Sequence, residues 1–347
     1  MPLSIRFAEL LRSRLSGTGG ASPAAAIGAC SVVRPRVHSD MIPNAKIDTR
    51  LIGGLILTLL LGCQSSEQKP RQSEARSEAE ASAPADTVFI QTAEWSPDGS
   101  KLALSVLEHG KYRIAVVDSS GEGWTDLTNR TWDDLWATWS PDGTQLAFAS
   151  RRHGNSNIYL MNADGTDVRA LTNDETNEST PAWSPDGSAI AFSSGREGRA
   201  QIYLMKTDGS NRRRIGLGPG NQYNPVWSPD GKQIAFYEST EAGADSVYVM
   251  NADGTGRTAL WSGVWPSWSA DGSRLAFDLN QRITIFDLEL NRPIKRLGEG
   301  FCARWSPVGE RIAFIRVTWR ATEGWPAAST VMLVNPDGTG ETALLNK

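Results

Sequence analysis

Cysteine and histidine are scarce in this chain. Its 347 residues hold three of each, too few for a disulfide framework, a four-cysteine zinc site or a multi-histidine metal centre. No apolar run reaches the ~20 residues that a membrane-spanning helix needs. An excess of one charge is missing too: 35 Lys plus Arg stand against 39 Asp plus Glu, a net of −4. That balance provides no electrostatic footprint for nucleic acid. Catalytic signatures are equally absent, with no Gly-x-Ser-x-Gly elbow, no His-Glu-x-x-His, no Cys-x-x-Cys and no phosphate-binding Gly-x-x-x-x-Gly-Lys-Ser/Thr. Glycine and tryptophan, by contrast, are plentiful. There are 33 Gly, and the 13 Trp outnumber 9 Phe and 6 Tyr, which directs attention to internal repeats.

The first 86 residues read as processing and tethering segments. Residues 41–62 carry a basic start with Lys46 and Arg50, then the apolar stretch Leu51-Ile-Gly-Gly-Leu-Ile-Leu-Thr-Leu-Leu-Leu-Gly62, and then Cys63. This is the layout of a secretory signal peptide. Leu60-Leu61-Gly62-Cys63 resembles the lipobox of bacterial lipoproteins, which implies acylation of Cys63 and a lipid anchor in the membrane. Residues 1–40 have no such pattern, so Met41 is the expected start and 1–40 an over-extended reading. Residues 64–85 contain no aromatic or branched apolar side chain, and such a stretch cannot bury enough surface to offset ordering entropy. Residues 63–86 are therefore expected to form a flexible tether spanning roughly 25 Å. Gln64-Ser65 lacks the Asp after the lipidated Cys that resembles an inner-membrane retention signal, which favours the outer membrane.

From residue 87 to 347 one unit recurs six times. Its mark is Trp95-Ser-Pro-Asp-Gly99, then Trp139, Trp183 and Trp227 in the same pentapeptide, then Trp268-Ser-Ala-Asp-Gly272 and Trp305-Ser-Pro-Val-Gly309. Between Trp residues the spacing is 44, 44, 44, 41 and 37. Each unit holds four short runs rich in β-branched and aromatic residues, bounded by Gly, Asp and Asn, which read as antiparallel strands a to d. In Ser-Pro-Asp-Gly, Pro presets φ, Asp suits the next position, and Gly takes the left-handed conformation. A second Asp-Gly turn joins c to d in Asn162-Ala-Asp-Gly165, Lys206-Thr-Asp-Gly209, Asn251-Ala-Asp-Gly254 and Asn335-Pro-Asp-Gly338. Both turns then share one end of the sheet, leaving the b–c and d–a loops at the other. Six such units of about 40–45 residues predict an all-β, six-bladed β-propeller of four-stranded antiparallel blades, with Trp95, Trp139, Trp183, Trp227, Trp268 and Trp305 as wedges between blades.

The Trp-Ser-Pro-Asp-Gly, Ile-Ala-Phe and Ile-Tyr-Leu-Met-Asn-Ala-Asp-Gly strings resemble the WD40-like repeats of TolB-type propellers. The likeness implies the fold more than a function, because similar repeats form the propeller of prolyl-oligopeptidase-type peptidases. TolB-type proteins carry a small α/β domain ahead of the propeller, where this chain has an anchor and a tether. Blade five lacks the Asp-Gly turn between c and d, and Val308 replaces the turn Asp in blade six. Ring closure stays open between a d strand supplied by residues 341–346 and pairing by Val88-Phe-Ile90.

The b–c loops differ in length, counted from the strand-b Phe to its strand-c partner, with Phe314 aligned to Met332 in blade six. Variable loops on a rigid scaffold are where binding usually resides. Trp132, Trp136, Arg151, Arg152, Arg196, Tyr223, Trp261, Trp265, Arg316, Trp319 and Arg320 fall in those segments and form the candidate partner-binding face, since Trp, Tyr and Arg dominate interface hot spots. Trp325, His153 and Arg199 fall there as well. Trp136 and Trp265, each three residues before a motif Trp, fit inter-blade packing equally. No catalytic, cofactor or metal residues are assigned: His109 and His153 sit in polar loops, and the Asp-rich turns lack the 12-residue loop and terminal Glu of an EF-hand. The expectation is a non-enzymatic cell-envelope lipoprotein facing the periplasm, binding an envelope protein or a peptidoglycan-associated partner on the b–c/d–a face. A hydrolase or lyase acting on a saccharide or peptide at the propeller mouth is the alternative, and a purely structural role a third. Cys63→Ala should abolish fatty-acid labelling and release the protein from membranes. Label and membrane association that persist in that variant would refute the anchor.

Overall fold

The computed structural model describes residues 88–240, 243–319 and 326–346. The segments expected to be leader, signal peptide and tether lie outside the described residues, as do Cys63, Arg320 and Trp325. Six four-stranded antiparallel sheets follow one another along the chain, each with its strands in the order a-b-c-d. Blade one shows the plan with Val88–Trp95, Lys101–Glu108, Lys111–Asp118 and Thr125–Asp126. The remaining blades cover 134–170, 178–214, 221–262, 264–299 and 301–346. The predicted six-bladed propeller is the fold observed.

Strand b explains why the blades stack. In Ala189–Ser194 every residue after the first is buried, with no alternation of apolar and polar, because both sheet faces are covered. The small Ala191 faces blade four, where it meets Ile234 and Phe236. The large Phe192 faces back onto Ala147, Ala149 and Ile158 of blade two. This division recurs around the ring, with Ala103 against Phe148, Ala235 against Phe277 and Ala276 against Phe314. At the seam Ala313 meets Leu104, which takes the place of Phe in blade one. Small against large lets neighbouring sheets interdigitate at the density of a protein interior.

Each motif Trp lies between blades. The indole Nε1 of Trp139 donates to the Glu94 carbonyl of the preceding blade at 3.3 Å, Trp227 to Ala182 at 3.2 Å, Trp268 to Val226 at 3.1 Å and Trp95 to Arg304 at 3.2 Å. The following turn is closed by its Asp, whose carboxylate takes the Ser hydroxyl and the amide two residues on, as in Ser96 Oγ to Asp98 at 2.7 Å and Ser100 N to Asp98 at 3.0 Å. Those bonds, the serine hydroxyl's first, pull the carboxyls of Asp98 and Asp271 down to about 2.

The ring closes without strand exchange. Residues 342–346 pair with strand c of their own blade, Val331 opposite Leu345. Val88-Phe-Ile90, one candidate for closing blade six, instead pairs with Glu108, Leu107 and Val106 as strand a of blade one. Side chains hold the seam: Ile90 N donates to Ser329 Oγ at 2.6 Å, and Arg304 Nε to Glu94 at 2.6 Å. The loop alignment also holds, with Phe314 opposite Met332.

The second turn glycine carries an inter-blade constraint. Gly209 has φ +83°, and a Cβ there would stand 2.4 Å from the Leu171 carbonyl oxygen of the preceding blade. Gly198 has the same φ but nothing within 4 Å of a Cβ. Both Gly→Ala variants therefore meet the same backbone penalty, and only Gly209→Ala adds the clash. In urea unfolding, Gly209→Ala should cost roughly 1–3 kcal/mol more than Gly198→Ala. Equal losses would remove the inter-blade contact as the reason for glycine.

Candidate functional site

The b–c and d–a loops share one end of the ring, opposite the Trp-Ser-Pro-Asp-Gly turns. Strand a carries a bulge three residues before the motif Trp. There Trp136, Thr180, Asn224, Trp265 and Cys302 take positive φ values of 54°, 48°, 54°, 58° and 54°, and the strand register slips at each. A bulge re-aims a side chain and frees its amide. Side chains of a neighbouring blade accept several of these amides: Trp136 N donates to Ser105 Oγ at 2.9 Å, Asn224 N to Thr180 Oγ1 at 3.2 Å and Cys302 N to Asp278 Oδ2 at 2.7 Å. Burial pushes the Asp278 carboxyl up to about 7.

The bulge sorts the candidate aromatics. Trp265, 5% exposed, is buried against Ile90, Cys302 and Ile315, with its ring 6.2 Å from Tyr237. Tyr223 lies 5.7 Å from Tyr237, and half-buried Trp136 packs onto the apolar clusters of blades one to three. These rings pack the interior, and Trp265 is covered too completely to serve a partner. Trp132 is 43% exposed, Trp261 43% and Trp319 38%. Trp132 belongs to the d–a segment leading into blade two. Trp261 is on the outer strand of blade four against Phe286 at 6.2 Å, and Trp319 ends strand b of blade six.

Three of the candidate arginines are held by carboxylates. Arg152 Nη2 pairs with Asp134 at 3.1 Å while its guanidinium lies 4.6 Å from the Tyr159 ring centre. Tyr159 OH and His153 Nδ1 share a hydrogen bond of 2.5 Å. Arg151 is anchored through its own amide to the Asp133 carbonyl at 3.1 Å. Arg196 pairs with Asp174 at 2.5 Å, and Arg316 with Glu341 at 2.7 Å. Trp132, Arg151 and Arg152 thus converge on the loop end of blade two, beside His153. Arg196, Tyr223, Trp261, Arg316 and Trp319 are spread over blades three, four and six.

Beneath this face lies a polar layer that composition does not reveal. Five residues before the motif Trp stand Asp134, Glu178 and Gln222, all buried. Asp134 takes Arg152. Glu178 receives Ser194 Oγ at 3.5 Å, and Gln222 Nε2 donates to Glu238 at 2.9 Å, which in turn pairs with Arg257 at 2.9 Å. Aligning Asp-Leu-Trp-Ala-Thr-Trp139 with Glu-Ser-Thr-Pro-Ala-Trp183 and Gln-Tyr-Asn-Pro-Val-Trp227 exposes the pattern. Burial pushes the Glu178 carboxyl up to about 7, with Asp174 adding to the rise and Thr172 and Arg212 opposing it. Asp174 moves the other way: burial would raise it, but Glu178, Arg196 and Arg212 together pull it below the usual carboxylate range. The loop between blades two and three is pinned as well, since Asn155 Nδ2 donates to the carbonyls of Asp174 at 2.6 Å and Thr176 at 2.8 Å. Among the described residues no group of three or more His, Cys, Asp or Glu is placed to hold a metal ion.

A closed ring of six four-stranded blades, with the Ser-Pro-Asp-Gly turns on one face and the b–c and d–a loops on the other, defines a repeat-built β-propeller. The sequence matches the family described as TolB beta propeller domain over residues 76–179 and 170–316. The chain belongs to that family. It is similar in fold to TolB from Acinetobacter baumannii, with 24% identity and a TM-score of 0.55 over 64% of this chain and 57% of that one. This chain therefore spans little more than half of that TolB. Two further folds are similar: a nidogen/laminin complex at 12% identity, TM-score 0.53, covering 74% of this chain and 91% of that one, and an oligogalacturonate lyase in complex with manganese at 16% identity, TM-score 0.52, covering 74% and 77%. No curated protein matches the chain.

The shifted carboxyls set the pH profile of stability. Folded Glu178 and Asp278 keep their protons to about 7, whereas the unfolded chain releases them near 4, so folding takes up protons between those values. Their contribution is fully present below the unfolded values and declines as pH rises through about 7. The turn Asp residues act oppositely: Asp98 and Asp271, near 2 when folded, lose their contribution as pH falls from about 4 to 2. Denaturation midpoints should therefore peak near pH ~4–5 and fall towards pH ~8. Glu178→Gln should flatten the neutral limb, and an unchanged slope would show that Glu178 is already ionised at neutral pH.

Proposed function

We propose that this chain is a non-enzymatic cell-envelope lipoprotein whose TolB-like propeller binds a protein or a peptidoglycan-associated partner on its loop face, with the periplasm as its compartment and the outer membrane as its anchor site. The observation that carries the reading is the loop end of blade two. There an exposed Trp132 stands on a segment tied to the b–c hairpin through Asp133 and Asp134. A large aromatic presented on a pinned backbone loses little entropy on binding, the property of a hot-spot anchor. Membership of the TolB propeller family supports an envelope role.

A second reading, an enzyme acting on a saccharide or peptide, draws on the Asp174–Glu178 pair, whose carboxyls are driven apart in pKa as in acid–base couples. The likeness to oligogalacturonate lyase is one of fold. Glu178 is fully covered by protein, out of direct reach of a substrate, and this weighs toward binding.

Crosslinked envelopes should yield a reproducible partner with the wild-type chain, and Trp132→Ala should reduce its recovery about tenfold or more. Recovery unaffected by Trp132→Ala would count against this face. Absence of any partner, joined to glycan or peptide turnover abolished by Asp174→Asn, would reverse the ranking.

A further inference from the structure

Where strand a enters blades two, three and four, one buried position faces strand b: Asp134 stands opposite Ser150, Glu178 opposite Ser194 and Gln222 opposite Glu238. The three blades satisfy it in different ways. Asp134 is ion-paired with Arg152 at 3.1 Å. Gln222 carries no charge and donates from Nε2 to the Glu238 carboxylate at 2.9 Å, and Arg257 pairs with that carboxylate at 2.9 Å. Glu178 is wholly buried. The two guanidinium groups nearest to it, those of Arg196 and Arg212, both go to Asp174 instead.

The setting of Glu178 therefore matches that of Gln222 and not that of Asp134. Its Oε1 takes Ser194 Oγ at 3.5 Å, and no donor among the described residues reaches Oε2. Its side chain and that of Asp174 share a hydrogen bond. Two carboxyl groups can be joined in this way only when one of them carries a proton. That one is Glu178, because burial penalises its charge while two cations stabilise the charge of Asp174. The other groups that face Glu178 are Thr172 from the linker, Tyr203 from strand c and Arg212 from the end of the c–d turn. Blade two contributes Ser156, whose Oγ donates to the Glu178 carbonyl at 2.7 Å. Protonated Glu178 thus does for Asp174 what the Gln222 amide does for Glu238.

This hydrogen bond fastens both ends of a short segment. Asp174 and Glu178 bracket the linker from blade two into blade three, and the Asp174 amide also donates to Asn157 Oδ1 at 2.9 Å. Without the proton, Glu178 becomes a buried carboxylate with no ion pair of its own, a costly state. It must then draw Arg212 away from Asp174 or leave the interior, and either route undoes the fastening. We propose that residues 173–178 form a pH-sensitive clasp on the loop face, closed by one proton held between Glu178 and Asp174 and opened when that proton passes to solvent. The clasp does not depend on the loop face binding a partner.

Hydrogen exchange of the full chain, expressed as protection relative to the intrinsic rate at each pH, tests the clasp. The closed pair keeps its proton to about 7, whereas an opened Glu178 releases it near its ordinary 4.5. Opening is therefore favoured about tenfold for each pH unit between those values and levels off above them. Protection of 173–178 should fall about tenfold or more from pH ~5 to ~7. Glu178→Gln, which copies Gln222, should hold protection at its low-pH level throughout. Residues 129–134, which lead to the ion-paired Asp134, should not change. A flat wild-type profile, a fall that survives in Glu178→Gln, or an equal fall at 129–134 would each overturn the proposal.

Discussion

The packing of a small residue on one sheet against a large one on the next is the contact on which this molecule depends. A single four-stranded blade exposes apolar side chains on both faces, as the burial of nearly all of Leu146-Ala-Phe-Ala shows. It can cover them only by stacking between two other blades. Ala191 against Phe236, repeated with its counterparts, turns six marginal sheets into one closed core. At the seam Leu104 substitutes for Phe without breaking the ring. Closure by packing places the burden there on side chains, which is where the buried Arg304 pairs with Glu94 and bonds the carbonyl of Ala303.

The same packing determines what the loop face can present. The strand-a bulge turns Trp136 and Trp265 out of the ladder and into the interior, so residues with hot-spot chemistry become part of the scaffold. The buried carboxylate of Asp134 then holds Arg152 in one geometry. Such pairs add little net stability because desolvation offsets their attraction. Their effect is orientation: they limit the freedom of the segment that displays Trp132.

Much of this architecture was legible in the residues. The pentapeptide at near-constant spacing announced the blades, and Ser-Pro-Asp-Gly announced turns whose Ser–Asp–amide bonds are seen from Ser96 to Ser273. The variable loop lengths were legible as well, since Phe148 stands opposite Tyr159 and Phe277 opposite Thr284. Glu178 escaped notice because an isolated Glu carries no sign of burial, although its place in the repeat does. The closing strand was ambiguous because residues 88–90 and 342–346 have the same β-forming character.

The sequence by itself determined the number of blades, the strand order within each and the conformation of the turns, because propensity and turn chemistry act between residues close along the chain. Only the tertiary structure decided which tryptophans are wedge, interior or surface, and how the ring closes. Those outcomes depend on partners one blade away. Trp139 meets Glu94 across 45 residues and Ile90 meets Ser329 across 239, and contacts at that separation exist only once the sheets have stacked.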